Sequence, residues 1–460
     1  MKVPHIFIIL LSIMAIMAVL SYLIPAGEFV RVDGPDGRMV IDPDSYKVVE
    51  SNPTTIMDLF KAIPEGFVEA GWVIALTFCV GGGFVVVKKT MAINAAISWL
   101  SKKFSKKGII VIPILMITFA IIDCFIGMCE LTMVYVPIIL PLMFALGFDS
   151  MTAAATALVG SAIGFSAAIA NPFTTGIGQK IAGLPLYSGW KYRLIVLLSM
   201  GVIGITYVMR YAKKVRDNPE SSIMYEIDKR TKQFIITGED SNVEINTKQK
   251  LAGISALVLF CLMIVGVFNW GWDMPEIGAI FIIIGIVSGL ISGMNGREIC
   301  EAFLEGCQDV LLGALIVGIA RGVSVIMTDA LLIDTIIHGL AQVIQGLPSA
   351  VTSVGMLVVQ TVLNFLIPSG SGQTVVTMPI MAPLSDLVGI TRQTAVLALQ
   401  FGDGFSNIFY PVSGYFMATL ALARVPWEKW MKVMLPLFGW FTAASAVFLI
   451  IAQMIQWGPF

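Results

Sequence analysis

Five ionisable side chains lie within apolar stretches of the chain, where a charge is costly and usually serves a function. They are Asp123, Glu130, Asp309, Arg321 and Asp403. Asp403 and Asn407 are four residues apart, so they share one face of a helix. Beside free backbone carbonyls, such a pair could bind Na⁺, carry a proton or hold the cationic end of a substrate. An internal pair of Asp403 with Arg321 is the structural alternative, because buried charges tend to be paired.

The most polar run among these apolar stretches is NFLIPSGSGQTVVTMP, at residues 364–379. Pro and Gly disfavour regular helix, and non-helical backbone at membrane depth must be enclosed by protein or line a wet cavity. We therefore predict a re-entrant hairpin over 351–388, with a non-helical tip at 369–374 that forms one wall of a solute site. The alternative is an ordinary loop outside the membrane that joins two full spans.

Composition identifies a multi-pass membrane protein. Of the 460 residues, 57% are hydrophobic and 13% are charged, and the mean hydropathy is +0.87. Soluble domains carry about 25% charged residues. Apolar runs near the length of about 20 residues that crosses a bilayer recur along the chain. The first run, at 5–24, is interpreted as an uncleaved membrane helix rather than a signal peptide.

Little in the sequence indicates enzymatic or metal chemistry. It contains no HExxH or GxSxG motif, so an intramembrane enzyme is not expected. The six cysteines form no CxxC pair, and His5 and His338 have no second ligand at metal spacing. We therefore expect no metal site and no cofactor, except Na⁺ or H⁺ as a coupling ion.

The chain contains two related halves. AIPEGFVEAG at 62–71 matches AFLEGCQDVL at 302–311 with an offset of 240. VPIILPLMFALG at 136–147 matches MPIMAPLSDLVG at 378–389 with an offset of 242, which also places Gly160 on Gly402. Asp123 aligns with Asn364. We predict a first repeat over 1–210, a charged linker over 211–250 and a second repeat over 251–460.

Charged loops predict how the halves are oriented. Segments 88–107 and 211–250 are rich in Lys and Arg and are predicted to be cytoplasmic, with the N-terminus. The acidic segment 25–60 and segment 329–350, which has no Lys or Arg, are predicted to lie outside, with the C-terminus. Lys191 and Arg193 fit this assignment less well. The repeats are then inverted, which is typical of secondary transporters.

Each repeat is predicted to contain a hairpin followed by a broken helix. The first has a hairpin at 109–147, with its tip at 125–131, and a helix at 151–183 interrupted at 171–176. The second has a hairpin at 351–388 and a helix at 391–423 interrupted around 407–414. Half-helix ends present free N–H and C=O groups to solutes and ions, so the four ends are expected to meet near the midplane.

Three groups of candidate site residues follow from these breaks. The predicted substrate-binding residues are Asn171, Thr174, Thr175, Ser369, Gly370, Ser371, Gly372, Gln373 and Thr374. The predicted cation-coupling residues are Asp403, Asn407, Asn364 and Ser413. The candidate charge partners are Asp123, Glu130 and Arg321.

Three stretches resemble the YfcC-type branch of the anaerobic C4-dicarboxylate carrier family, within the ion transporter superfamily. They are residues 4–29, AIPEGF at 62–67 and NFLIPSGSGQTVVTMPIMAPLSDLVGITRQ at 364–393, and the similarity spans essentially the whole chain. The resemblance implies an all-α polytopic fold with two inverted repeats, and a dimer of scaffold and transport domains that moves as an elevator. Members are described as C4-dicarboxylate carriers or as basic amino-acid antiporters. The first tip, GMCEL, departs from the family's serine–glycine pattern.

We therefore expect a secondary active transporter, an antiporter or a cation symporter, of small amino acids. Basic amino acids such as arginine and ornithine are favoured, because acidic side chains outnumber Arg in the apolar segments. A carrier of C4-dicarboxylates or other small organic anions is the alternative, and a channel, which needs a continuous polar pore, is a remote one. Expected partners are a small solute, the lipid bilayer and a second copy of the chain, without nucleic acid. The expected location is the cytoplasmic membrane of a prokaryote.

Overall fold

The computed structural model describes residues 6–33, 39–91, 108–235, 246–345 and 348–458, and most of them are helical. The lysine-rich loop predicted to be cytoplasmic lies largely outside the described residues, since 92–107 fall there. The same holds for residues 236–245 of the predicted linker and for both chain ends. The orientation assigned from these segments therefore stays a prediction.

The chain is a multi-pass membrane protein. Among the described residues, six helices are long and apolar enough to cross a bilayer: Gly71–Lys89, Gly108–Ile126, Trp190–Asp217, Met274–Ser292, Gly296–Asp329 and Trp427–Met454. Shorter apolar helices cover Phe7–Leu20, Leu131–Ala145, Ser150–Ser166 and Val351–Leu366. The first helix, Ile6–Leu20, has 15 residues, which is fewer than the predicted run at 5–24.

The first half contains a helical hairpin and an interrupted helix. Helices Ile56–Glu69 and Gly71–Lys89 come before the first hairpin, which consists of Val111–Ile126 and Leu131–Ala145. The first broken helix consists of Ser150–Ser166, a π-helical turn at Pro172–Gly176 and Ile177–Ile181. The half ends with Trp190–Asp217 and a linker helix, Tyr225–Ile235.

The second half has corresponding elements. Helices Thr247–Trp270, Met274–Ser292, Gly296–Asp329 and Ile333–Gln345 precede the second hairpin, which consists of Ser349–Leu366 and Gly370–Leu387. The second broken helix consists of Arg392–Ser406 and Gly414–Leu422, and Trp427–Met454 completes the half.

The leading segments of the two broken helices form the centre of the molecule. Every residue of Ser150–Ser166 is buried, and so is every residue of Arg392–Ser406 after the first. A helix enclosed on all sides by protein can place polar side chains away from lipid. Asp403 and Ser161 lie on these two segments.

The prediction that residues 369–374 are not helical is wrong. The second hairpin turns at 367–369, and its second helix begins at Gly370. The Ser369 hydroxyl accepts a hydrogen bond from the Gly372 N–H at 3.3 Å and caps this helix. Gly and Ser are tolerated here because first-turn N–H groups have no helical partner, so a capping side chain offsets the low helix propensity.

The first interruption also lies earlier than predicted. The helix ends at Ser166, and Pro172–Gly176 is already a π-helical turn, so the non-helical stretch is 167–171 rather than 171–176. The Asn171 side-chain oxygen accepts from the N–H groups of Phe173 at 2.8 Å and Thr174 at 3.2 Å. Pro172 at the first helical position lacks an N–H that would be unpaired there, so the helix can restart.

A small extramembrane structure follows the first helix. Strand Gly27–Glu28 pairs antiparallel with Lys47–Val48, and Arg31–Asp33 pairs with Met39–Ile41. Asp334, at the start of Ile333–Gln345, accepts from the Phe29 N–H and from the Arg31 guanidinium, each at 2.9 Å. The four strands and the start of that helix therefore lie at the same end of the molecule.

Glycines bring Gly71–Lys89 and Gly296–Asp329 into backbone contact. A Cβ atom at Gly306 would strike the Gly81 carbonyl oxygen and would lie 2.7 Å from the Gly82 Cα. Membrane helices use such small residues to pack closely, since lipid provides little hydrophobic driving force for association. This crossing therefore depends on the absence of a side chain at Gly306.

We predict that Gly306→Leu destabilises the protein by about 1–3 kcal/mol, because the two helices must separate to accommodate the side chain. The measurement is the midpoint of thermal unfolding in detergent. The matched control is Gly439→Leu, since nothing lies within 4 Å of a Cβ atom at Gly439. Equal midpoints for the two variants would contradict the contact.

Candidate functional site

The tip of the first hairpin packs against the first helix break. Gly127 ends the first helix of the hairpin with φ +70°, a left-handed conformation that glycine adopts without strain. A Cβ atom there would lie 2.7 Å from the Asn171 Cγ. The Asn171 side chain thus caps the restarted helix and contacts the hairpin tip.

The tip of the second hairpin contacts both broken helices. A Cβ atom at Gly370 would lie 2.9 Å from the Phe165 ring, 3.0 Å from the Thr174 methyl group and 3.0 Å from Asp403 Oδ2. Phe165 and Thr174 flank the first break, whereas Asp403 precedes the second. Ser369, Gly370, Ser371 and Gly372 remain partly exposed. The structure therefore brings one tip and two helix breaks together at a point that solvent can approach.

Asp403 is a buried carboxylate with no cationic partner among the described residues. Its Oδ1 accepts a hydrogen bond from the Asn407 amide at 3.2 Å, and its Oδ2 has no partner. The alternative pair with Arg321 does not form, because Arg321 donates to Glu69 at 2.7 Å. An uncompensated buried charge costs several kcal/mol, so this carboxylate favours a proton or a cation supplied from outside the chain.

Asn364 ties the second hairpin to the second broken helix. Its amide nitrogen donates to the Asp403 backbone oxygen at 2.5 Å and to the Ser406 hydroxyl at 2.6 Å. The Asp403 carbonyl lies at the end of Arg392–Ser406 and also accepts the Asn407 N–H at 3.3 Å, so Asn364 adds a link from the second hairpin to this helix end. The other Asn364 atom, Oδ1, remains buried without a partner.

Many polar atoms around the breaks are buried without a hydrogen-bond partner in the described protein. Among the predicted substrate-binding and cation-coupling residues these atoms are Asn171 Nδ2, Thr174 Oγ1, Thr175 Oγ1, Asn364 Oδ1, Gln373 Oε1, Asp403 Oδ2 and Ser413 Oγ. Folded proteins leave only a few such atoms per 100 residues, so a local concentration calls for an explanation. A polar solute and an ion bound between the breaks would satisfy them.

Two predicted substrate ligands also have structural bonds: Gln373 links the two helices of the second hairpin, and Thr374 bonds within its own helix. Gln373 donates from its side chain to the Gln360 backbone oxygen at 2.8 Å and to Gln360 Oε1 at 2.6 Å. Gln360 in turn donates to the Thr377 hydroxyl at 3.0 Å. The Thr374 hydroxyl donates to the Gly370 carbonyl at 2.6 Å. These bonds orient the tip.

Of the remaining ionisable residues, two form ion pairs and two have no ion-pair partner among the described residues. Asp309 pairs with Arg424 at 3.1 Å, and Arg321 with Glu69. Glu130 is half-buried at the first tip, where its charge interacts with both Asp123 and Asp403. Asp123 is buried, and neither of its oxygens has a partner in the described chain.

Sequence reasoning noted Arg193 only as a charge that fits the orientation poorly and missed that it is completely buried. Its guanidinium donates to the side-chain oxygens of Gln400 and, at 3.4 Å, Gln393, and it stacks over the Trp457 ring at 5.3 Å. Gln400 also donates to the Ala168 carbonyl in the first break, at 3.4 Å. Gln393 and Gln400 are seven residues apart, as are Gln400 and Asn407. This row of polar residues on one helical face is the sequence feature that could have indicated a buried polar cluster here.

Comparison with known proteins identifies the family. The sequence pattern of the C4-dicarboxylate anaerobic carrier family, DcuC, matches residues 3–454. The chain is 33% identical to the Escherichia coli (strain K12) protein named "Putative basic amino acid antiporter YfcC", over 98% of this chain and 96% of that protein. It is 30% identical to an uncharacterised protein of Haemophilus influenzae, over 91% of this chain and 82% of that protein. The chain therefore belongs to this family and is a transporter rather than an enzyme.

Two solved transporters are similar at lower identity. MtrF of Neisseria gonorrhoeae, described among antimetabolite efflux pumps, is 18% identical over 98% of this chain and 95% of its own, with a TM-score of 0.41. The YdaH transporter of Alcanivorax borkumensis is 16% identical over 99% of this chain and 100% of its own, with a TM-score of 0.42.

We predict that Asn171→Ala lowers the free energy of unfolding by about 1 kcal/mol, because two N–H groups lose their capping oxygen. Asn171→Ser, which keeps a capping oxygen, should lose much less. Thermal unfolding in detergent checks both. Asn218→Ala is the control, since the Asn218 side chain makes no cap hydrogen bond. A loss in the control as large as in Asn171→Ala would argue against the cap.

Proposed function

We propose that this member of the C4-dicarboxylate anaerobic carrier family is a secondary active transporter of small amino acids, above all basic ones, across the cytoplasmic membrane. It would act by antiport or by cation symport. One observation carries the proposal: Gly370 at a hairpin tip meets Thr174 and the unpaired carboxylate of Asp403 between two helix breaks. A charged group placed at such a break is suited to bind a solute or ion at membrane depth.

The chemistry of the breaks supports a zwitterionic solute with an additional positive charge. The helix that begins at Gly370 has first-turn N–H groups beyond the one that Ser369 caps, and these attract a carboxylate. Asp403 supplies a negative charge for an ammonium or guanidinium group, and Thr174, Thr175, Ser369, Ser371 and Gln373 add polar contacts. The name of the Escherichia coli relative agrees with this solute class.

A C4-dicarboxylate is the second candidate, supported by the family description and by the helix N-terminus at Gly370. Such an anion could bind beside Asp403 only if this carboxylate held a proton or a cation. Asn364 Oδ1, Asp403 Oδ2 and Ser413 Oγ are buried oxygens without partners, and oxygen atoms are the ligands that Na⁺ requires. We assign them, with Asn407, to the coupling cation in either case.

Several features support the inverted repeat that this mechanism uses. Trp190–Asp217 and Trp427–Met454 both have 28 residues, and each follows a hairpin and a broken helix in the same order. Gly296–Asp329 has 34 residues and lies 240 positions after the pair Ile56–Glu69 and Gly71–Lys89 at both ends. We infer that the hairpins and broken helices move together as an elevator within a homodimer.

Contacts between loops support the predicted orientation. The linker helix reaches the start of the first broken helix, where Asp228 accepts from the Ser150 N–H at 2.9 Å. Lys429, at the start of the last long helix, donates to the Ile223 carbonyl at 2.5 Å. The linker and both helix starts thus share one end, which we infer to be cytoplasmic because the linker is rich in Lys and Arg. The N-terminus would lie on this side and the C-terminus outside.

We predict that proteoliposomes containing the protein take up labelled arginine and ornithine faster than succinate. Uptake should rise with an opposing load of a basic amino acid if the protein is an antiporter, and with an inward Na⁺ or H⁺ gradient if it is a symporter. Protein-free liposomes are the control. Uptake of succinate alone would replace the proposal by the dicarboxylate carrier, and ohmic currents far above carrier turnover would indicate a channel.

We predict that Asp403→Asn reduces the initial rate of uptake by about 10–100-fold, the kinetic equivalent of losing a hydrogen bond to a charged group. The same substitution at Asp386, which pairs with Arg392 at 2.7 Å outside the site, should retain nearly full activity. Both variants are measured at a subsaturating solute concentration. Wild-type rates for Asp403→Asn would remove Asp403 from the site.

A further inference from the structure

An ion pair joins the end of the second broken helix to the long helix Gly296–Asp329. Arg424, which lies two residues after Gly414–Leu422, has a terminal nitrogen 3.1 Å from Asp309 Oδ2. The two side chains are 30% and 28% exposed. The proposed function assigns no role to either residue.

The backbone of Arg424 is strained where glycine would be comfortable. Its φ is +57°, a left-handed conformation that residues with a Cβ atom seldom adopt. The corresponding residue after the first broken helix is Gly183, with φ +67°. Both turns are closed by the same two backbone hydrogen bonds, 241 residues apart: Gly183 to Lys180, Leu184 to Gln179, Arg424 to Ala421 and Val425 to Leu420. An arginine at such a turn indicates a use for its side chain, because strain of this kind persists mainly at functional positions.

Small residues line the contact between the two helices beside the ion pair. A Cβ atom at Gly313 would strike the Ala421 Cβ, and one at Gly414 would lie 3.2 Å from a methyl carbon of Val317. Asp309, Gly313 and Val317 are each four residues apart, so they share one face of the long helix. The ion pair therefore lies at one end of a continuous contact between helices with few protruding side chains, along which helices can slide.

A small cavity lies beside the ion pair. Asp309 and Arg424 both line it, together with Gly81 on one side and Pro137 of the first hairpin on another. The space around the pair is thus not filled by side chains. The two charged groups can separate here without displacing a packed core.

The two partners of the ion pair belong to different parts of the molecule. The second broken helix is bonded to the first hairpin, since the hydroxyls of Thr132 and Thr419 are 2.9 Å apart. Both elements belong to the part that we infer to move. The long helix that carries Asp309 instead packs against Gly71–Lys89 through Gly306. Movement of the hairpins and broken helices past the long helix must therefore separate Arg424 from Asp309.

Two lysines at the end of Gly71–Lys89 remain beside Asp309 when Arg424 leaves. Lys88 is 7% exposed and interacts with both Asp309 and Glu305. Lys89 forms an ion pair with Glu305 at 2.5 Å. Opening the pair therefore does not leave the partly buried Asp309 carboxylate without a positive neighbour, which would be costly.

We propose that Arg424 is a positioning residue for transport, whose ion pair with Asp309 holds the hairpins and broken helices at one end of their movement. A partly exposed ion pair contributes little to stability, so it can form and break in every cycle. The inference rests on the movement assumed in the proposed function and not on which solute is carried.

The test makes the ion pair covalent. Arg424→Lys keeps the positive charge, and a carbodiimide then joins the lysine amine to the Asp309 carboxylate as an amide, taking up the released water to become a urea. Tandem mass spectrometry should detect the link between positions 309 and 424. In proteoliposomes, uptake of labelled arginine, or of succinate measured in parallel, should fall in proportion to the linked fraction.

The wild type treated in the same way is the control for this experiment. Its link between Lys89 and Glu305 joins two helices that do not move relative to each other, so this link should not stop uptake. Any loss in the treated wild type measures modification of other carboxylates. A link between positions 309 and 424 that leaves uptake at the rate of the treated wild type would overturn the inference, and so would absence of the link.

A second measurement requires no transport. Hydrogen exchange of residues 306–313 and 421–425 should rise by about two- to fivefold in Asp309→Asn and in Arg424→Gln, the range for loss of a partly exposed ion pair. The reversed pair, Asp309→Arg with Arg424→Asp, should restore the wild-type exchange. Arg297→Gln, which breaks the exposed pair with Glu301, is the matched control and should change neither segment.

The two measurements separate failure of the inference from failure of the proposed function. A wild type that takes up neither arginine nor succinate would contradict the proposed function, and hydrogen exchange then decides the inference alone. Unchanged exchange in both single variants, or no recovery in the reversed pair, would overturn the inference. Uptake of arginine would still support the proposed function in that case.

Discussion

Hydrocarbon provides no hydrogen-bond partner for a main chain that leaves its helix, and this constraint explains how both breaks are built. Side chains supply what water would supply in a soluble protein. Asn171 accepts from two N–H groups where the first broken helix restarts, and Ser369 accepts from one at the second hairpin. Asn364 donates to a carbonyl where the second broken helix stops. By satisfying these backbone groups, the short polar side chains lower the free-energy cost of interrupting a helix at the centre of an apolar molecule.

The same groups form the candidate site. Capping uses one end of each asparagine side chain and leaves Asn171 Nδ2 and Asn364 Oδ1 buried beside Asp403 and Thr174. Glycines at 127, 370 and 402 remove the side chains that would otherwise keep the hairpins away from the breaks. Because the backbone groups are satisfied and the helices pack closely, polar atoms without partners are concentrated at the centre. A bound solute and cations can supply the partners that these atoms lack.

Charged side chains have different partners at the centre of the molecule and at its periphery. Arg321 with Glu69, Lys89 with Glu305 and Arg424 with Asp309 form ion pairs in partly exposed positions, where each pair contributes little to stability. At the centre, Asp403 is bonded to the Asn407 amide, Asp123 has no ion-pair partner among the described residues, and Arg193 is bonded to two glutamines. This difference suits a carrier. A fixed internal ion pair would compete with the transported charge for the same side chain, whereas amide and hydroxyl partners leave that side chain available.

The sequence by itself determined the membrane class and the approximate positions of the two hairpins, because these follow from hydrophobicity and from the spacing of the breaks. It also predicted two related halves and a coupling role for Asp403, and both stay predictions. Only the tertiary structure decided that the helix begins at Gly370, that the first break ends at Asn171, that Arg321 binds Glu69, and that Arg193 and Ser161 lie deep inside. Helix propensity disfavoured Gly370–Thr374 as helix, but a capping serine and enclosure by two broken helices outweigh a local preference of about 1 kcal/mol per glycine. Partners such as Glu69 and Arg321 are 252 residues apart, so their meeting depends on how the helices pack, which local sequence does not specify.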